Sequence, residues 1–132
     1  MVRASKTKQI SFVTPDEIGI LAKVSGSIAG AKININALSA CSMQDKGYFM
    51  IVTDNNIKAK RALTKAGFEV TEEDVILVEM PNRVGEMQKV AAKIAAAGVN
   101  ISYAYATVGS GRSTFCIFKT NNDKKAIRAV NR

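Results

Sequence analysis

The chain has 132 residues, 47% hydrophobic and 23% charged, the ordinary mixture of a globular protein. It contains no histidine, which removes the usual general base near neutral pH, the commonest metal ligand and any Ser-His or Cys-His nucleophile. The formal charge of +8 admits anionic partners, but ten Lys+Arg against four Asp+Glu fall in residues 1–66 and nine against seven in 67–132.

In chain order, Met1 to Lys8 is polar and does not read as a signal peptide. Gln9 to Val13 reads as a strand, and Thr14-Pro15-Asp16 as a turn. Asp16 is a predicted helix N-cap, with Gly19 giving the chain room. Leu21, Val24, Ile28 and Ala31 recur as one helical stripe. Ile33 to Leu38 alternates as a strand, Gln44 to Gly47 carries hairpin chemistry, and Tyr48 to Thr53 returns. Asp54-Asn55-Asn56 caps a second helix with apolar positions Ala59, Ala62, Leu63 and Ala66, ended by Gly67. Phe68 to Val70 is predicted to begin a short last strand, with Thr71 to Asp74 as an acidic link.

The order then repeats. Val75 to Met80 is a strand, and Pro81 to Gly85 a turn. Met87, Val90, Ile94 and Ala97 form a helical stripe closed by Gly98. Asn100 to Val108 and Ser113 to Thr120 are strands joined across Gly109-Ser110-Gly111, and Asn121-Asn122-Asp123 opens a final helix.

The repetition extends to residues. Pro15-Asp16-Glu17-Ile18-Gly19 and Pro81-Asn82-Arg83-Val84-Gly85 stand 66 positions apart, as do Ile33-Asn34-Ile35 and Val99-Asn100-Ile101. Beyond the hairpin the offset becomes 67, as in Thr53/Thr120, Ala59/Ala126 and Ala62/Ala129. A duplicated chain of this kind decides architecture first. The expectation is α+β: two ferredoxin-like βαββαβ units over 8–72 and 73–132, with antiparallel sheets and helices on one face. The second copy runs out before its last strand, so Val75 to Val78 is expected to be an apolar edge that invites self-association.

Two features recur in both copies. One is a tight turn at a helix start, whose N–H groups and positive dipole end favour a carboxylate. The other is an asparagine, Asn34 or Asn100, whose carboxamide both donates and accepts, as a zwitterion requires. Asn82 and Arg83 replace Asp16 and Glu17, so the second turn is the better anion end and the first suits an ammonium. The plainer reading makes these residues helix caps, turn glycines and polar strand starts.

Asn82-Arg83-Val84-Gly85 followed by Gly98-Val99-Asn100-Ile101 resembles the ACT domain, as does Asp16-Glu17-Ile18-Gly19 with Ile33-Asn34-Ile35. The first set is similar to the regulatory domain of phosphoglycerate dehydrogenase, and the whole chain to small stand-alone proteins made of two ACT units. The resemblance implies a non-catalytic sensor that binds a free amino acid at an interface between units and regulates amino-acid metabolism. The expected apolar edge points to a homo-oligomer, such as a dimer, and a target enzyme or regulator is a candidate further partner. Ligand contacts are then expected from Asn82, Arg83, Val84, Gly85 and Asn100, and by repetition from Asp16, Ile18, Gly19 and Asn34. Asp16 departs from the family's asparagine.

No catalytic residue, metal site or cofactor is expected, and no apolar run approaches the roughly 20 residues of a membrane span. Cys41 and Cys116 read as reduced core thiols, which with the missing leader suggests the cytoplasm. Two rivals remain. The order βαββαβ also suits an RNA-recognition module, with Lys46-Gly47-Tyr48 echoing its third strand and Phe12 as a base platform. Ala91, Ala92, Ala95 and Ala96 could make a purely structural docking face.

Overall fold

The computed structural model describes residues 2–108 and 111–132, with the backbone alone at Val108. The predicted Gly109-Ser110-Gly111 connection therefore falls partly outside the described residues. The chain divides into a first unit, Lys8–Glu73, and a second, Met1–Thr7 with Asp74–Arg132. Its elements in order are β1 (Arg3–Pro15), α1 (Ile20–Gly30), β2 (Ile35–Met43), β3 (Lys46–Thr53) and α2 (Asn56–Lys65). β4 (Thr71–Pro81), α3 (Glu86–Ala96), β5 (Ile101–Val108), β6 (Ser113–Thr120) and α4 (Asp123–Val130) follow. The fold is α+β, with two ferredoxin-like units.

In the first unit the strand order is β2-β3-β1-β4, and in the second β5-β6-β4-β1. Pairings β1/β3, β2/β3, β4/β6 and β5/β6 are antiparallel. The short hairpin between β2 and β3 turns on Gln44 and Asp45, both at positive φ (51° and 63°), as a two-residue primed turn requires.

The apolar face of each helix pair covers one sheet face. The first core joins Ile10 and Phe12 of β1, Val24 and Ile28 of α1, Phe49 and Ile51 of β3, and Leu63 of α2. Phe12 and Phe49 stand opposite each other in register and stack with centroids 5.1 Å apart. Both are buried under the helices, so Phe12 offers no platform for a base. The second core joins Ile76 and Val78 of β4, Val90 and Ile94 of α3, Phe118 of β6 and Val130 of α4. Leu21 and Met87, placed on the buried stripes by periodicity, are instead 48% and 41% exposed, because the buried face continues by steps of four from Ile28 and Val24 to Ile20, and from Ile94 and Val90 to Glu86.

Three further expectations need correction. The apolar edge foreseen at Val75 to Val78 does not exist: Val75, Ile76 and Val78 are fully buried, and Ala4 of β1 belongs to their core. The start of β1 is the missing fourth strand. Ala4 N–H donates to Asn131 Oδ1 at 2.7 Å and Asn131 Nδ2 donates back to Ala4 O at 2.9 Å, pinning the strand to the end of α4. Next, the last strand of the first unit begins at Thr71, not Phe68. Phe68 plugs the core against Phe12 at 5.5 Å, whereas the acidic stretch read as a link is itself the start of β4, with Glu72 paired to Lys60 at 3.1 Å and Thr71 Oγ1 donating to Ser11 O. Finally, Cys116 is buried but Cys41 is exposed, since the outer part of β2 has no covering layer on its side.

Candidate functional site

The two turns open their helices in the same backbone geometry. Gly19 (φ 85°) and Gly85 (φ 87°) are the N-caps of α1 and α3, in a left-handed conformation that side-chain-bearing residues avoid. Neither Asp16 nor Asn82 caps a helix, because three residues separate each from the first helical turn. Each residue is instead tied back to the hairpin beside it. Asp16 N–H donates to Asp45 O at 3.2 Å, and Asn82 N–H to Arg112 O at 2.9 Å.

Side chains then separate the copies. The Asp16 carboxylate accepts a hydrogen bond from Ser42 Oγ. Asn82 makes only a long contact, Nδ2 to Gly111 O at 3.4 Å, leaving its carbonyl oxygen unengaged among the described residues. Ile18 and Val84 project from the turns at 106% and 103% exposure, as open as in an extended peptide.

Periodicity did not reveal Glu86. It takes the place of Ile20 in the second copy and is 6% exposed at the start of α3. Lys89 Nζ donates to its carboxylate at 3.0 Å, and Arg83 lies 3.8 Å away. The Lys89 hydrogen bond, opposed by burial and assisted by the charges of Lys89 and Arg83, holds the Glu86 carboxyl below the usual glutamate range. One carboxylate between two cations leaves the turn with a single net positive charge. In the first copy, Asp16 and Glu17 form no ion pair among the described residues, and Lys23 lies over the Phe68 ring at 5.3 Å.

The asparagines sit at the opposite pole. Asn100 precedes β5, its N–H accepted by Asn121 Oδ1 and its carbonyl accepting from Asn121 N–H, both at 3.1 Å. Asn34 repeats this with Asp54. The Asn34 amide donates to Asn36 Oδ1 at 3.0 Å, whereas the Asn100 amide has no partner among the described residues. Just beyond, Asn36 and Ser102 are the extra residues of β-bulges at matched positions.

Register shows which site residues come together. Pro81 pairs with Ser113 at one end of β6, and Ile101 with Thr120 at the other. Asn82 and Asn100 are thus separated by the strand's length, on the order of 20 Å at about 3.3 Å per residue. Asn82, Arg83, Val84 and Gly85 form one contiguous corner; Asn100 belongs to another. Asp16, Ile18 and Gly19 are parted from Asn34 in the same way, along β3.

The ACT domain pair family matches residues 5–131. The chain belongs to this family. A crystal structure of a protein from Bacteroides thetaiotaomicron is similar to the ACT pair with a TM-score of 0.88 and 28% identity, over 97% of this chain and 88% of that one. The regulatory subunit of aspartate kinase from Thermus thermophilus, in a ligand-free form, shares the fold with a TM-score of 0.69 and 21% identity, over 97% and 94%. That from Thermus flavus does so at 0.63 and 22%, over 98% and 95%. No curated protein matches the sequence. Among the described residues, no group of three Cys, Asp or Glu could hold a metal, and no helix is long and apolar enough to cross a membrane.

Proposed function

We propose that this ACT pair is a non-catalytic regulatory protein that binds a free amino acid. Membership of the ACT family and the fold shared with regulatory subunits of aspartate kinase support a ligand-binding, regulatory role. The observation that carries the choice of site is the hydrogen-bonding capacity left on the Asn82 carbonyl oxygen and the Asn100 carboxamide among the described residues, where the first-copy Asp16 and Asn34 each hold a side-chain hydrogen bond within their own unit.

Because those carboxamides lie at opposite poles of one unit, one small ligand meets both only when they come from different units. The reading places the turn Asn82 to Gly85 of one copy of the chain against Asn100 of a second copy, an arrangement that a two-fold dimer satisfies twice. Val84, fully exposed, would be covered there. Arg83 and the amides of the turn receive the ligand carboxylate, and the Asn100 carbonyl oxygen accepts from its ammonium. Asp16, Ile18, Gly19 and Asn34 make a weaker, second-rank site. Ligand bound across such a seam biases the placement of units, and that bias is the signal passed to a target.

A thermal-shift screen of the free amino acids on the whole chain tests this. At about 100 times its dissociation constant, the true ligand stabilises by roughly 2.7 kcal/mol. Asn82→Ala and Asn100→Ala should each diminish the shift while Asn34→Ala retains it. A ligand whose effect survives both of the first two substitutions would overturn the assignment.

A further inference from the structure

The second helix of each unit carries cations at one spacing. Lys58, Arg61 and Lys65 of α2 recur 67 positions later as Lys125, Arg128 and Arg132 at α4. Steps of three and four put Lys58, Arg61 and Lys65 on one face of α2, and Lys125 and Arg128 on one face of α4, with Arg132 just past its end. The residues of α2 include no acid, and Lys58, Arg61 and Lys65 are exposed and form no ion pair among the described residues.

In the first unit these cations border a depression. A shallow groove of about 620 Å³ lies between α1 and α2, with Lys58, Arg61 and Lys65 along one side and Ser27, Gly30 and Ala31 along the other. A second hollow of about 520 Å³ continues past Arg61 and Lys65 to Ile57. The second unit treats the same place differently. Lys93 stands where Ser27 would be, and its Nζ reaches across to Val130 O at 3.4 Å and Arg132 O at 3.2 Å. The cations are kept in both copies, but in the second the Lys93 side chain crosses to the end of α4, where in the first the short Ser27 leaves room beside the cations of α2.

We propose that the α1–α2 groove of the first unit docks an acidic helical segment of a partner protein. The three cations span about 10 Å along α2, two helical turns, so carboxylates at steps of three and four on a partner helix meet them in register. The short side chains of Ser27, Gly30 and Ala31 let a second helix approach closely, and docking of a helix in a groove is a common mode of recognition. No aromatic ring lines the groove, whereas single-stranded nucleic acid binds through stacking on such rings. The proposal stands independently of the amino-acid site, since it shares no residue with it.

Fluorescence anisotropy on the whole chain tests the proposal with an alanine-based helical peptide bearing glutamates at i, i+3 and i+7. The peptide should bind at low ionic strength and weaken as salt is added. Lys58→Gln/Arg61→Gln/Lys65→Gln should weaken it about tenfold, while the charge-matched Lys124→Gln/Lys125→Gln/Arg128→Gln stays within about twofold of the parent chain. Circular dichroism checks that both variants fold. The proposal is overturned if the peptide does not bind, if a glutamine version binds equally, if both variants lose affinity alike, or if a thymidine oligonucleotide or an anionic phospholipid vesicle binds more tightly than the peptide.

Discussion

The turn at Asp16 and the turn at Asn82 share a backbone and differ in almost every polar side chain around it. Both end on a glycine at φ near 86°, both tether their second residue to a hairpin carbonyl, and both push an apolar side chain into solvent. In the first copy, Ser42 donates to the Asp16 carboxylate, and Asn34 donates to Asn36. In the second, Asn82 and Asn100 keep hydrogen-bonding capacity, and Glu86 recruits Lys89 and Arg83 to the helix start. Duplication preserved the scaffold, and substitution at a few positions made the two copies chemically unequal. That inequality can be attacked experimentally.

The largest effect is expected where the copies differ most in construction. Ala4 is 3% exposed in the second core, so Ala4→Asp should destabilise by about 3 kcal/mol through an unpaired buried charge. Hydrogen exchange should show residues 74–132 losing protection before residues 8–73. Equal loss in both units would refute the assignment of the start of β1 to the second core. Next in size come the turns. A Cβ at Gly19 or Gly85 meets no atom within 4 Å, so alanine there costs only backbone strain, roughly 1–2 kcal/mol for each. Chemical denaturation should find the two costs alike, whereas the amino-acid thermal shift should suffer only from Gly85→Ala.

Glu86 supplies a smaller, pH-dependent difference. Its carboxyl is depressed in the folded protein, so its contribution is present above the unfolded value of about 4.3 and is lost as pH falls through the folded value. Acid titration followed by circular dichroism should show a shallower fall in stability for Glu86→Gln than for the parent chain, and no such change for Ile20→Leu at the corresponding place. Last come the thiols, which sharpen the comparison without altering stability. Burial raises the Cys116 thiol to about 11, while Cys41 is exposed. Iodoacetamide near pH 8 should therefore add one label to the native chain, located at Cys41 by mass spectrometry, and a second only after unfolding.

The sequence by itself determined the duplication, the helices and hairpins of each unit, the core positions Val24, Ile28, Val90 and Ile94, and the Asp54-Asn55-Asn56 and Asn121-Asn122-Asp123 stretches that open α2 and α4. These follow from local periodicity and local hydrogen bonding, which neighbouring residues encode. The candidate site was legible as two recurring motifs, and its inequality as the exchange of Asp16-Glu17 for Asn82-Arg83. Only the tertiary structure decided that Arg3 to Thr7 completes the second unit, because strand pairing joins backbone groups and leaves little trace in a polar stretch with one buried alanine. It also decided that Asn82 and Asn100 stand a strand's length apart, that Glu86 is buried between two cations, and that Ser27 leaves open a groove which Lys93 crosses in the other copy. Each depends on which side chains meet from distant parts of the chain, and spacing along one segment carries no record of that.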